Sequence, residues 1–134
     1  MVGLVLVAHS AELVQGLRAM LAQVAPELPV GLAAGSAEGR LGTSAPRVLA
    51  ALEATIVASR GAGVVVLIDL GSATMAVEIA LEEATDAERA LTRLSGGPIV
   101  EGAILAAVEA AAGAGLEGVL AAADGAAAVP KLAR

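Results

Sequence analysis

The apolar residues of this chain are grouped in short runs separated by helix-like patterns. Near-continuous runs at Val2–Ala8 and Gly63–Ile68 are typical of strands buried on both faces of a sheet. Val30–Ala34 and, more weakly, Ala90–Leu94 indicate two further strands. Between these runs the apolar positions recur at the spacing of one helix face. The pattern therefore predicts strands that alternate with helices.

The predicted helices begin at polar or glycine-rich turns. The first follows Ser10, the second covers about Ala45–Ser59, two more follow Asp69–Ser72 and Ser95–Pro98, and the last begins near Leu116. We expect the following apolar residues to face the core: Leu13, Leu17, Met20, Leu21 and Val24 in the first helix; Val48, Leu49, Leu52 and Ile56 in the second; Met75 and Ile79 in the third; and Ile104, Leu105, Val108 and Ala111 in the fourth.

This alternation predicts an α/β fold, a doubly wound and flavodoxin-like parallel sheet of four strands with helices on both faces. Right-handed crossovers favour the strand order 2-1-3-4, in which the chain reverses direction between strands 1 and 3. Ligands of such open sheets bind at the carboxyl ends of the strands beside that point. We expect one domain over residues 1–124 and a tail or linker over 125–134.

Composition narrows the possible functions. The 134 residues suit a single domain, and the absence of Phe, Trp and Tyr removes the platform on which nucleic-acid bases stack. A net charge of −6 also opposes binding to nucleic acid. No cysteine and one histidine argue against disulfides and the common metal sites. With no run long enough for a membrane span and no basic signal-peptide region, we expect a cytoplasmic protein.

The one histidine, His9, lies where strand 1 ends and a helix begins. The free N–H groups of a helix start favour an anion there, and neutral imidazole is a good nucleophile near neutral pH. Asp69 ends strand 3, so the 2-1-3-4 order would bring it beside His9. A carboxylate that accepts from one ring N–H would fix the tautomer and present the other nitrogen. Asp69 could equally cap the helix that follows it.

Three further residues are candidates for binding phosphate. Gly71 and Ser72 lie beside the same crevice, where backbone N–H groups and the Ser72 hydroxyl could hold a phosphoryl oxygen. Thr43 is a weaker candidate, because a helix cap explains it as well.

Gly113–Gly118 matches G-x-G-x-x-G but does not follow a strand, so it is not a dinucleotide site. Since the chain also lacks a P-loop, we predict no cofactor.

Five segments resemble one known family. They are residues 2–10 (Val-Gly-Leu-Val-Leu-Val-Ala-His-Ser) with Leu13–Leu17, Ala33–Gly35, Leu41–Thr43, Asp69–Ala73 and Pro98–Gly102. Together they resemble the phosphotransfer subunits of dihydroxyacetone kinase, the DhaM family, which have the mannose-type IIA fold of the sugar phosphotransferase system. The resemblance covers nearly the whole chain, in register.

This resemblance implies a homodimeric phosphotransferase subunit that works through a phosphohistidine. It implies that His9 is phosphorylated by the carrier protein HPr and that Asp69 is its partner. The phosphoryl group would then pass to ADP on the nucleotide subunit DhaL, and the ATP formed would phosphorylate dihydroxyacetone on DhaK. On this interpretation residues 1–124 are the IIA domain, either as a stand-alone protein or as part of a longer one.

Two alternatives remain open at this point. A mannose-type IIA component of sugar uptake would share the fold and the histidine and differ in its acceptor. Such proteins typically carry Gly-Gly-[Ser/Thr]-Pro where this chain has Leu70–Ala73, which favours the kinase subunit. A non-catalytic, anion-binding regulatory module is the other alternative, but Ala8-His9 occupies the place of a receiver's acidic pair. Arg40 and Arg47 are the basic residues nearest to His9 by chain position, and surface solvation accounts for both.

Overall fold

The structure is a computed structural model and describes residues 1–133. Its strands are β1 (Gly3–Ala8), β2 (Val30–Ala34), β3 (Val64–Ile68) and β4 (Thr92–Ser95). Its α-helices are α1 (Ala11–Val24), α2 (Ala45–Ala58), α3 (Thr74–Glu83), α4 (Asp86–Ala90), α5 (Ile99–Ala111) and α6 (Leu116–Gly125). Short 3-10 helices cover Gly71–Ala73 and Ala126–Ala128.

The four strands form one parallel sheet in the order β2-β1-β3-β4, which confirms the predicted fold. Alternate residues of β1 face opposite layers of helices. Leu4 and Leu6 pack with side chains of α1, α5 and α6, whereas Val5 and Val7 pack with α2 and α3. Because helices cover both faces of the central strands, nearly every side chain of these strands is buried, and their sequences are unbroken apolar runs.

Strand pairing brings three chain segments together at the carboxyl edge of the sheet. Ala8 pairs with Ala34, and Val7 pairs with Ile68. The pairing continues past the strand ends, because the N–H of Asp69 donates to the Val7 carbonyl over 3.1 Å. His9 therefore lies between the end of β2 and the end of β3, at the point where the chain reverses direction.

The predicted core face of α3 is wrong, and that of α5 is correct only at Ile104, which is half-buried and packs against the core. Met75 and Ile79 are 69% and 44% exposed, and the buried residues of α3 are Ala76, Val77 and Ala80. In α5, Leu105, Val108 and Ala111 are exposed, and the buried residues are Gly102, Ala103, Ala106, Ala107 and Ala110. The reason is close packing: a Cβ added to Gly102 would lie 2.8 Å from the Leu67 side chain. Only small residues fit where a helix lies so near the sheet.

The first two helices follow the predictions more closely. Leu17 and Leu21 of α1 are buried, but Leu13, Met20 and Val24 are 41–49% exposed, which corrects their placement in the core. In α2, Val48 and Leu52 are buried and Leu49 and Ile56 pack against the same cluster.

Helix α4 was not predicted, and it displaces the start of the fourth strand. Ala90 ends this helix, so β4 begins at Thr92 rather than at Ala90. The helix begins with a capping box in which Thr85 and Glu88 satisfy each other's backbone N–H groups. The T-x-x-E spacing is a recognisable helix start, so the sequence did contain a signal for this helix.

The end of the described chain is attached to the domain. Helix α6 extends to Gly125, and Ala126 in the following 3-10 helix is only 2% exposed. Lys131 forms an ion pair with Glu101 over 3.0 Å. The boundary predicted at residue 124 stays a prediction. Within residues 1–133, no helix combines the length and the apolar character that crossing a membrane requires.

Candidate functional site

Asp69 holds His9 through both its backbone and its ring. The N–H of His9 donates to Asp69 Oδ2 over 3.0 Å, and ring Nδ1 lies 3.0 Å from Oδ1 and 3.1 Å from Oδ2. An ionised carboxylate can only accept hydrogen bonds, so Nδ1 carries the proton in the neutral ring. The lone pair is then on Nε2. The His9 side chain is 27% exposed and that of Asp69 is 10% exposed, so the partner is shielded while the ring reaches solvent.

The Asp69 carboxylate is stabilised in its charged form. Burial raises the pKa of this carboxyl, but hydrogen bonds from the His9 backbone, the His9 ring and the Leu70 N–H outweigh it, and the net pKa lies below the ordinary value. The Leu70 N–H donates to Oδ1 over 2.8 Å. Asp69 is therefore a charged acceptor near neutral pH, ready to compensate a positive charge on the imidazole.

Ser72 contacts the second ring nitrogen of His9, Nε2. Its Oγ lies 3.0 Å from His9 Nε2, and with Nδ1 protonated the hydroxyl is the donor. The 3-10 turn over Gly71–Ala73 positions it directly after Asp69, because the Ala73 N–H donates to the Leu70 carbonyl over 2.9 Å.

The loop between β2 and α2 reaches His9 from the side opposite Asp69. The Gly42 N–H donates to the His9 carbonyl over 3.1 Å, and half-buried Thr43 follows in the chain. In the described part of the chain, this backbone contact rather than a hydrogen bond from the Thr43 hydroxyl joins the loop to His9. The structure thus brings His9, Asp69 and Ser72 into direct contact and leaves Thr43 at the periphery.

A cavity of about 260 Å³ adjoins His9 on this side, and Arg40 and Arg47 line it. The guanidinium of Arg47 donates to the Ala34 carbonyl over 3.2 Å. Both arginines were expected near His9 by chain position and were explained by surface solvation; that they line one cavity with the histidine was not predicted. A larger cavity of about 590 Å³ runs along β2 and is lined mainly by small apolar residues. Among residues 1–133, no group of His, Cys, Asp and Glu side chains is arranged to hold a metal ion.

The fold and the site define a parallel α/β domain in which a carboxylate holds a histidine at the switch point of the sheet. Comparison with known proteins specifies the family. Residues 3–120 match the family described as the PTS system fructose IIA component, also called EIIA-man. The chain belongs to this family.

The similar curated proteins are all phosphoryl donor or phosphotransferase subunits called DhaM. The Klebsiella michiganensis and Escherichia coli proteins, described as phosphoryl donor subunits of PEP-dependent dihydroxyacetone kinase, are each 36% identical over 124 residues. This alignment covers 90% of the chain but only 26% of either relative. The Lactococcus lactis subunit is 32% identical over 117 residues, covering 87% of this chain and 89% of the relative. The resemblance inferred from the sequence is thereby confirmed.

The fold also occurs in a solved structure. The crystal structure of EF1359, described as a protein of unknown function, superposes with a TM-score of 0.78 and 24% identity. The match covers 92% of this chain and 94% of EF1359. It supports the architecture alone.

Proposed function

We propose that this protein relays phosphoryl groups through Nε2 of His9. The observation that carries the proposal is the geometry of the ring: Asp69 engages Nδ1 at 3.0 Å, while Nε2 faces Ser72 at a partly exposed surface. A histidine whose two nitrogens are differentiated in this way has one nitrogen for orientation and one for chemistry. The names of the similar proteins support the same function.

The proposed donor is the phosphorylated carrier protein HPr. The Nε2 lone pair forms a bond to phosphorus while the donor's N–P bond breaks, and the donor nitrogen keeps the electron pair. The imidazole ring of His9, still protonated on Nδ1, then carries positive charge that the Asp69 carboxylate compensates. In the return step an oxygen of the acceptor's terminal phosphate forms the new bond to phosphorus while the N–P bond at His9 breaks. Nε2 keeps the electron pair, and the ring recovers its neutral form.

The proposed acceptor is ADP held on the nucleotide subunit DhaL, with DhaK supplying dihydroxyacetone. The DhaM names of the relatives support this acceptor over a sugar-transport protein, as does the Leu70–Ala73 turn. We also propose residues 1–124 as the phosphotransfer domain and Gly71 and Thr43 as minor contributors to phosphate binding. Their N–H groups lie on the two segments that flank His9.

A homodimer is proposed from the family resemblance. Large apolar side chains exposed on α3, at Met75 and Ile79, are consistent with a surface that a second copy covers. Sedimentation equilibrium distinguishes a dimer from a chain of 12.9 kDa. A purely monomeric species at micromolar concentration would contradict this part of the proposal.

Radiolabelled phosphoenolpyruvate, enzyme I and HPr test the relay. We expect acid-labile, alkali-stable label on the wild-type protein and none on the His9→Ala variant. Label retained by that variant would overturn the proposal. Adding the ADP-loaded nucleotide subunit should then remove the label as ATP. Failure of that second step, with label present, would instead favour the role in sugar uptake.

A further inference from the structure

Two arginines, both on the exposed surface, share a cavity with His9. Arg40 and Arg47 line the cavity of about 260 Å³ beside the histidine. Three of the other basic side chains in residues 1–133 pair with carboxylates: Arg89 with Asp86, Arg93 with Glu117 and Lys131 with Glu101. The hydrogen bond that the Arg47 guanidinium forms within this part of the chain is instead to the backbone carbonyl of Ala34.

The position of Arg47 in its helix is unfavourable for stability. Ser44 is the N-cap of α2 and accepts from the Arg47 N–H, so Arg47 occupies the third helical position. A glutamate at that position would complete a capping box, as Glu88 does with Thr85 in α4. A cation in the first helical turn is also opposed by the helix dipole, and α2 has no acidic residue there. Departures from local preference are expected at functional sites, and this one lies beside His9.

Held in place, the guanidinium suits the chemistry of the adjoining histidine. Guanidinium has five N–H donors in a planar fork, and the Ala34 carbonyl engages one end of it. The remaining donors match the oxygens of a phosphoryl group. The chain has a net charge of −6, so an incoming phosphoryl group meets repulsion that local cations would offset.

We propose that Arg47 binds the oxygens of the phosphoryl group during its transfer to and from His9, with Arg40 as a second cation. This inference rests on the proposed function of His9. The residue neither forms nor breaks a bond. It stabilises the negative charge on the phosphoryl oxygens while phosphorus is shared between the donor nitrogen and Nε2, which is electrostatic stabilisation of a transition state.

The test compares the variants Arg47→Gln, Arg47→Lys and Arg47→Glu with wild type in single-turnover phosphorylation at saturating donor. We expect Arg47→Gln to react at least about tenfold more slowly, Arg47→Lys to recover part of the rate and Arg47→Glu to be slowest. The matched control is Arg18→Gln, which changes the charge equally on an exposed residue near the opposite edge of the sheet. This control should react like wild type.

Two further readouts separate a phosphoryl contact from a structural role. Because glutamate would complete the capping box, Arg47→Glu should melt at or above the wild-type temperature while transferring slowly. Phosphoramidate, a small phosphoryl donor, should also react more slowly with Arg47→Gln than with wild type. Wild-type rates for Arg47→Gln with both donors would overturn the inference, and so would a defect confined to HPr, which would make Arg47 a docking residue. Absence of label on wild type would instead refute the proposed function itself.

Discussion

Replacing Asp69 with asparagine removes charge from the site while preserving its shape. In the native protein the carboxylate accepts from the His9 N–H and from Nδ1, both at 3.0 Å. An asparagine can turn its amide NH₂ toward Nδ1, which then becomes the acceptor, and the proton moves to Nε2. The nitrogen that should attack phosphorus would thereby lose its lone pair.

The size of the effect follows from the interactions that are lost. A hydrogen bond to a charged group contributes about 1.5–3 kcal/mol, against about 0.5–1.5 kcal/mol for a neutral one. The positive ring charge formed during transfer also loses its counter-ion, and partial exposure of His9, at 27%, screens that loss. A total of about 2–3 kcal/mol in the transition state corresponds to transfer that is roughly 30- to 150-fold slower.

Rapid-quench measurement of His9 phosphorylation by a saturating donor checks this value. The matched control is Asp86→Asn, which makes the same change on a fully exposed side chain of α4. It should transfer at the wild-type rate. If Asp69→Asn, folded as judged by circular dichroism, also transfers at the wild-type rate, the assigned role of the carboxylate is wrong.

Three other changes probe the site and the packing. Ser72→Ala removes the hydrogen bond at Nε2, so phosphoryl transfer should slow about three- to tenfold with little change in melting temperature. Faster transfer in this variant would show that the hydroxyl blocks the Nε2 lone pair and does not assist transfer. Gly97→Ala places a Cβ against the Ala123 carbonyl oxygen of α6, and thermal unfolding should show a loss of about 1–3 kcal/mol. Gly16→Ala lies in open space within α1 and should gain about 0.5–1 kcal/mol; equal effects at the two glycines would refute the packing argument. The pKa of Asp69 in the folded protein lies below its ordinary value of 3.8. The stability that Asp69 contributes is therefore present above that pH and is lost as the pH falls toward the folded pKa. As acid is added, the free energy of unfolding should decrease less steeply in Asp69→Asn than in wild type.

The fold was predictable because its strongest determinants are local. The apolar runs at Val2–Ala8 and Gly63–Ile68 define the central strands, and crossover handedness then determines the strand order. The helix faces were harder to predict. Apolar spacing selected Met75 and Leu105, whereas the distance between helix and sheet requires small residues such as Gly102 on the inner face. That distance depends on tertiary packing, which hydrophobic periodicity does not record.

The part of the site that could be predicted is the part that lies directly at the ends of strands. His9 and Asp69 each follow a strand, and neighbouring parallel strands bring such positions together. Ser72 was expected to hold phosphate. Its contact with Nε2 could not be predicted, because it depends on the 3-10 turn over Gly71–Ala73. Arg47 was named as a nearby basic residue, but the cavity that it shares with His9 was not predicted, because that cavity depends on the path of the β2–α2 loop. The sequence did contain one signal for a role of Arg47: it occupies the third position after the N-cap Ser44, where a glutamate would complete a capping box.

The central claim is that Nε2 of His9 carries the phosphoryl group. Since the chain has one histidine, NMR of isotope-labelled imidazole nitrogen reports on this ring alone. After phosphorylation, we predict phosphorus–nitrogen coupling at Nε2 and a retained proton on Nδ1, hydrogen-bonded to Asp69. Coupling at Nδ1, or a phosphorylated protein in which neither nitrogen is coupled to phosphorus, would contradict the account.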